Sequence, residues 1–361
     1  MQKRPKHLKT GDRIAIVSLS RGLLGMPFCK HELDIGLRRL KTFGLEPVLM
    51  PNALRSLDDL AAHPEARAAD LKQAFGDDSI RAILCAIGGD DTYRTIPYLM
   101  DDPAFIEAVR QNPKIFTGFS DTTFNHLMLN RLGLSTFYGP CFMVDLAELD
   151  TEMLPYTKAS FEQFFRSDPA FAIPSSPIWY GDRESYGADQ VGVPRDAHPE
   201  THGYETLNGS GTITGKLYGG CIESLYDAMT GERYGDEPKV MEAYHIFPTE
   251  AEWAEKLLFL ETSECASSPE RLETMLMAFK VRGILRLVQG VLVGKPIDEK
   301  HYEAYKAVYR KVFSDLDTPV LYNLNFGHSV PRCILPYDAT TQVDFDRKTV
   351  TVLTPMTEPA D

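Results

Sequence analysis

Apolar positions in the first part of the chain alternate between short runs and longer stripes at helical spacing. Arg13-Ile-Ala-Ile-Val-Ser18 reads as a strand, Lys30 to Phe43 as a helix ended by Gly44, and Glu46 to Met50 as the next strand. Leu57 to Phe75 keeps a helical pattern as far as Gly76. Ile80 to Ile87 is a strand running into Gly88-Gly89-Asp90, and Thr92 to Met100 and Pro103 to Arg110 are helical. Ile115, Phe116 and Thr117 end a further strand, and Thr122 to Arg131 forms a helix with Phe124, Leu127, Met128 and Leu132 on its apolar stripe. Strands alternating with helices predict a parallel sheet covered on both faces, with functional loops at the carboxyl ends of the strands.

From Asp150 to Gly211 the periodicity fades after Phe165, and prolines and glycines punctuate the stretch. A connection this long is either a linker or a functional lid. Its aromatics, Trp179, Tyr180, Tyr186 and Tyr204, favour a lid or binding loop, because a solvated linker has little use for them. The alternation then resumes with strand Thr212 to Leu217, helix Ile222 to Met229, strand Leu257 to Leu260 and helix Pro269 to Val281. Strand Gly290 to Val293, helix Tyr302 to Phe313, strand Pro319 to Tyr322 and a β pair at Gln342 to Phe345 and Thr349 to Leu353 complete it. The expected fold class is α/β, with domains at residues 1–150 and 212–361 and a connecting or lid segment at 151–211.

Three predicted strand ends carry reactive side chains. Gly118-Phe-Ser-Asp121 joins a strand to a helix, and a serine on such a turn exposes its hydroxyl beside unpaired N–H groups of the helix start. Thr122 stands where the usual nucleophile elbow has a second glycine, so helix capping by Ser120 or Asp121 is the competing explanation. Gly88-Gly89 ends the preceding strand; the N–H groups of Gly89 and Asp121 could form an oxyanion hole, or the two glycines could only turn the chain. Glu261 ends the apolar run Leu257-Leu-Phe-Leu260, and His328 follows the strand Pro319 to Tyr322 beside Gly327. Singly, each is an ordinary strand end or loop residue; together, Ser…Glu…His is an order that serine hydrolases use. Gly211-Thr-Ile-Thr-Gly-Lys216 has the wrong glycine spacing for a phosphate loop, and Pro199 denies His198 and His202 the helix of a zinc motif.

The formal net charge of −13 argues against a nucleic-acid polymer or an anionic membrane as partner. No apolar run approaches a membrane span, and Ile14 to Val17 is too short for a signal-peptide core. Six scattered cysteines without a C-x-x-C pair read as reduced thiols, so a cytoplasmic location is expected.

Ala86-Ile-Gly-Gly89, Gly118-Phe-Ser-Asp-Thr-Thr123, Gly219-Gly220 after a strand, Leu258-Phe-Leu-Glu261, Gly327-His-Ser-Val-Pro331 and Leu335-Pro336 together resemble the LD-carboxypeptidase family of serine peptidases. The resemblance spans nearly the whole chain, with the gap between Ser120 and Glu261 lengthened. It implies Ser120 as nucleophile, His328 as general base and then acid, Glu261 as the carboxylate that orients the imidazole, and Gly89 and Asp121 N–H groups as the oxyanion hole. It further implies a Rossmann-like N-terminal domain and a C-terminal α/β domain with the active site at their interface, a homodimer, and no metal or organic cofactor.

Within the family, the aromatic-bearing insert, Asn325-Phe-Gly-His328 and Gly294-Lys-Pro-Ile-Asp-Glu-Lys300 look like the microcin C immunity branch, which hydrolyses peptidyl- or aminoacyl-nucleotides. There a mobile tryptophan stacks on the base; Trp179 is the candidate, with Tyr180 and Tyr186 as alternatives and Gly88 as a further substrate contact, although Trp179 could equally pin the loop to the body. Cys221 replaces a common asparagine, Cys265-Ala-Ser-Ser-Pro269 replaces expected polar residues, and Asp90 stands where an aromatic is common. These departures touch substrate contacts and leave the triad intact. The alternatives are a murein tetrapeptide carboxypeptidase that releases D-alanine, and a non-catalytic peptide- or nucleotide-binding protein.

Overall fold

The computed structural model describes residues 2–359. Contacts divide the chain into two compact units: Met1–Ser167 with Arg183–Arg195 and Met356–Asp361, and Asp168–Asp182 with Asp196–Pro355. Residues 151–211 are therefore shared between the units.

The first unit contains β1 (Arg13–Val17), α1 (Lys30–Thr42), β2 (Glu46–Leu49), α2 (Leu57–Ala62), α3 (Pro64–Gly76) and β3 (Ile80–Cys85). It continues with α4 (Ile96–Met100), α5 (Pro103–Gln111), β4 (Ile115–Gly118), α6 (Thr123–Arg131), β5 (Phe137–Tyr138) and α7 (Pro155–Phe161). Its strands lie in the order β5-β4-β3-β1-β2, and each neighbouring pair is parallel. β1 from Ile14 onward and all of β4 are buried, which is why they read as unbroken apolar runs. The helix expected over Leu57 to Phe75 is broken at His63. Ser56 caps α2 by accepting from Asp59 N–H, and Pro64 opens α3 at a first-turn position that needs no N–H.

The second unit contains β6 (Phe171–Ile173), β7 (Ile178–Tyr180), β8 (Ala197–Pro199), β9 (Glu205–Asn208), β10 (Thr212–Cys221), α8 (Ile222–Thr230), α9 (Glu237–Ala243) and α10 (Glu250–Trp253). Next come β11 (Lys256–Glu261), α11 (Pro269–Val281), α12 (Ile284–Leu287), β12 (Gly290–Gly294), α13 (Tyr302–Phe313) and β13 (Val320–Leu324). It ends with β14 (Leu335–Pro336), β15 (Thr340–Asp344) and β16 (Thr349–Val352). Eight strands pair in the order β6-β16-β15-β10-β11-β12-β13-β9, and the central β10 to β13 are mutually parallel. Their carboxyl ends therefore collect on one edge. β6 and β9, both within 151–211, close the two outer edges, so part of this segment is sheet rather than lid.

Residues 183–195 are held by charge inside the first unit. Glu148 is buried between two buried arginines, with Oε1 2.6 Å from Arg183 Nη2 and Oε2 2.6 Å from Arg195 Nε. Gly192 N–H donates to Leu149 O at 2.7 Å, and Tyr186 packs against Ile35, Ala147 and Leu149. Among the described residues, no helix is long and apolar enough to cross a membrane. Glu148→Ala strands two buried guanidiniums, so we expect it to destabilise the unit by about 3–5 kcal/mol, read as a lower midpoint in denaturant unfolding. A loss below about 1 kcal/mol, the scale of a surface ion pair, would contradict the clamp.

Candidate functional site

In the first unit the loops after β1, β3 and β4 converge. Ser120 follows β4 and has a left-handed φ of 65°, a conformation in which a non-glycine residue is strained. Local bonds hold it: Ser120 N–H donates to the Tyr138 hydroxyl at 3.0 Å, and Thr123 Oγ1 donates to Ser120 O at 2.7 Å. His126 supports the strand end from beneath. Its Nε2 lies 2.9 Å from Gly118 O and its Nδ1 2.9 Å from Thr136 Oγ1; burial depresses its pKa to about 3, so the ring is neutral. With a carbonyl acceptor at Nε2, that nitrogen carries the proton.

Gly88 and Gly89 are required by close approach. A Cβ on Gly88 would stand 2.8 Å from Ser120 Cβ, and one on Gly89 would meet Ser20 Oγ at 2.2 Å. Ser20 Oγ accepts from Asp90 N–H at 3.1 Å, and the Asp121 carboxylate accepts from Thr92 N–H at 2.9 Å. Burial pushes the Asp121 carboxyl up to about 6 against the lowering effect of its Ser20 and Thr92 bonds. Arg67, fully buried, pairs with Asp91 at 2.6 Å. Among the described residues no partner accepts the N–H of Gly89 or Asp121.

In the second unit Glu261 ends β11 and His328 sits between β13 and β14. Glu261 Oε2 accepts twice from His328, from the backbone N–H at 3.2 Å and from Nδ1 at 2.8 Å. This fixes Nδ1 as a donor. Gly294 and Gly327 make room: a Cβ on Gly294 would lie 2.7 Å from Glu261 Cβ, and one on Gly327, at φ 75°, would lie 2.3 Å from Glu261 Cδ. Arg332 Nε donates to Gly327 O at 2.7 Å. His328 Nε2 lies 3.0 Å from Glu264 Oε2. Burial lowers the affinity of His328 for its proton, but the Glu261 charge and the bonds to both carboxylates outweigh it and raise the pKa to about 10.

Cys221, Glu261 and His328 place one donor atom each within 4.8 Å of one another, the spacing of a metal trio. Their protons are accounted for otherwise. Burial, then Glu223 and Glu261, push the Cys221 thiol far up, so it stays protonated and donates to Glu223 Oε2 at 3.3 Å. The Nδ1 proton already bridges Glu261 and His328. Glu261 and His328 are thus bonded to each other, and Cys221 beside them is bonded to Glu223.

Trp179 and Tyr180 lie in β7, which pairs with β8 as an antiparallel ribbon. Tyr180 N–H donates to Val330 O at 2.9 Å, and Ser176 N–H donates to Asn325 Oδ1 at 2.8 Å, so the ribbon runs beside the His328 loop. The Trp179 indole stacks on the His198 ring, with centroids 4.1 Å apart and planes 20° apart. Lys295 Nζ, held by Glu200 at 3.0 Å, sits 5.2 Å from the indole centroid. Tyr204 is buried and donates to Ile173 O at 3.1 Å. All six cysteines are free thiols, five of them buried.

Several participants escaped the sequence reading. Tyr138 lies in a two-residue strand without periodicity, and Glu264 and Glu223 are glutamates with no motif. His126 was visible only as one of several polar residues on its helix, beside Thr123, Asn125 and Asn130.

The LD-carboxypeptidase N-terminal domain model matches residues 14–139, and the LD-carboxypeptidase C-terminal domain model matches residues 214–343. The Bacillus subtilis protein named "Probable murein peptide carboxypeptidase" is 28% identical over 97% of this chain and 94% of its own. The structure of an MccF-like protein from Streptococcus pneumoniae in complex with AMP is 44% identical, with a TM-score of 0.89 over 95% of this chain and 98% of that one. A microcin C7 self-immunity protein MccF in complex with aspartyl sulfamoyl adenosine shares the fold at 21% identity, with a TM-score of 0.81 over 99% of this chain and 100% of that one. With both domain models matched in order along most of its length, the chain belongs to the LD-carboxypeptidase family.

Proposed function

We propose that this protein is a serine carboxypeptidase that hydrolyses the amide bond of a peptidyl- or aminoacyl-nucleotide. The observation that carries the assignment is the Glu261–His328 pair: with Nδ1 committed to Glu261 as a donor, Nε2 is the nitrogen left for proton transfer. Ser120 Oγ attacks the carbonyl carbon and His328 Nε2 takes its proton. The oxyanion is held by the N–H groups of Gly89 and Asp121, which have no partner among the described residues. His328 then gives its proton to the leaving nitrogen, and water resolves the acyl-enzyme by the same steps in reverse order. The assignment requires His328 Nε2 to reach Ser120 Oγ during the reaction. No metal or organic cofactor has a part in it.

The nucleotide-linked substrate is supported by the 44% identical MccF-like protein that was solved with AMP. Trp179 supplies the aromatic shelf: the His198 side chain on it is 38% exposed, so a nucleobase can take its place on the indole. The name of the Bacillus subtilis relative supports murein tetrapeptide as the second reading, in which Trp179 only anchors the ribbon. We place the enzyme in the cytoplasm, as a homodimer without nucleic-acid polymer or membrane partners.

Parallel digests of an aspartyl sulfamoyl adenosine and a murein tetrapeptide, followed by mass spectrometry, separate the two. Release of aspartate that Ser120→Ala abolishes supports the nucleotide substrate, whereas serine-dependent loss of D-alanine supports murein. Glu261→Gln is expected to lower kcat by about 10³- to 10⁴-fold with the fold retained, because the imidazole loses its tautomer and its counter-charge; near-normal turnover would remove Glu261 from the mechanism. His328 must shed a proton before it can act as base, so kcat/KM should climb with pH through neutrality and level off near the His328 pKa of about 10. A profile already flat at pH 7 would contradict that.

A further inference from the structure

His328 carries a second carboxylate that a triad does not need. Glu264 Oε2 is 3.0 Å from Nε2, the nitrogen that a base must leave open. The two carboxylates differ in setting: the Glu261 side chain is 1% exposed, that of Glu264 60%. Glu264 stands in the loop between β11 and α11, whose two ends are tied down. Ser263 N–H and Oγ donate to Glu223 at 3.1 and 3.2 Å, Ser267 Oγ donates to Glu223 at 3.0 Å, and Ser268 caps α11. Glu264 is thus the movable partner on a fixed base.

The charged and titratable groups around the imidazole are Glu261 from β11, Glu264 from its loop, the Cys221 thiol from β10 with Glu223 of α8 behind it, and Arg332 on the histidine's own loop. Acidic groups dominate, and the outermost is Glu264. An imidazolium and a carboxylate that meet at the surface separate when another cation replaces the first, since a charge-assisted hydrogen bond is then exchanged for an equivalent one. A neutral hydroxyl or amide offers no such exchange.

We propose that Glu264 is a specificity-determining carboxylate, which rests on the hydrolase reading above: it occupies His328 Nε2 in the resting enzyme and receives the free α-ammonium of the substrate's acyl residue, which releases the imidazole to act as base. Once Glu264 lets go, His328 keeps only Glu261 as counter-charge, and its Nε2 proton passes to solvent. The neutral ring then accepts the Ser120 proton. Recognition of the ammonium and activation of the base become one event. A substrate whose amine is acylated, a peptidyl-nucleotide included, binds without freeing Nε2, so of the two substrate classes above the aminoacyl-nucleotide is the one cleaved efficiently.

The test compares an aminoacyl sulfamoyl adenosine carrying a free α-amine with its N-acetyl derivative, on the wild type and on Glu264→Gln. The wild type is expected to favour the free amine in kcat/KM by about tenfold or more, the scale of one charge-assisted bond. Glu264→Gln should bring the ratio close to one, with the acetylated substrate improved, and should move the kcat/KM profile to lower pH. A merely structural glutamate would shift neither. An unchanged ratio, or an unmoved pH profile, overturns this proposal alone. Failure of the wild type to cleave either compound strikes the nucleotide-substrate reading and this proposal with it.

Discussion

One carboxylate oxygen, Glu261 Oε2, organises the second unit by accepting both the backbone N–H and the Nδ1 proton of His328. A carboxylate this deeply buried is tolerated only when its lost hydration is replaced by donors, so the loop after β13 must return over the end of β11. That return needs Gly327 in a left-handed conformation and Gly294 without a side chain, because a Cβ on either would overlap Glu261. The parallel pairing of β10 to β13 supplies the rest, since it aligns the strand ends from which Cys221, Glu261, Lys295 and His328 emerge. A sheet with its strands reversed would scatter them.

The first unit solves a similar problem with neutral bonds. Ser120 holds a strained φ, a cost of about 1–3 kcal/mol, and the surroundings over-determine it through Tyr138, Thr123 and the His126 prop under Gly118. Ser20, Asp121 and Thr92 stitch the loops after β1, β3 and β4 to one another, with Arg67 and Asp91 beneath. The lack of a Cβ at Gly88 lets that loop lie against Ser120, and the lack of one at Gly89 lets it lie against Ser20.

The α/β class and most strands were legible because strands buried on both faces leave continuous apolar runs between glycines. Ser120, Glu261 and His328 stood out for the same reason, as polar residues where such runs stop. Short strands were not legible: β5 to β9 are two to four residues long, and their identity comes from pairing across the sheet rather than from a period. The break at His63 needed weight on Pro64 that the helical stripe around it concealed. The aromatics of 151–211 signalled function in sequence, yet Tyr186 and Tyr204 fill packing positions and Trp179 lies against His198 and Lys295. Glu264 had no sequence signal, since a glutamate three residues past another is ordinary until the fold turns it onto Nε2.

The most direct measurement is peptide-mapping mass spectrometry of the enzyme quenched during turnover. The account predicts a mass increment equal to the acyl group on the peptide containing Ser120, formed far more slowly in His328→Ala. Steady product release with no adduct at Ser120, or an adduct on another side chain, would contradict a serine nucleophile activated by His328.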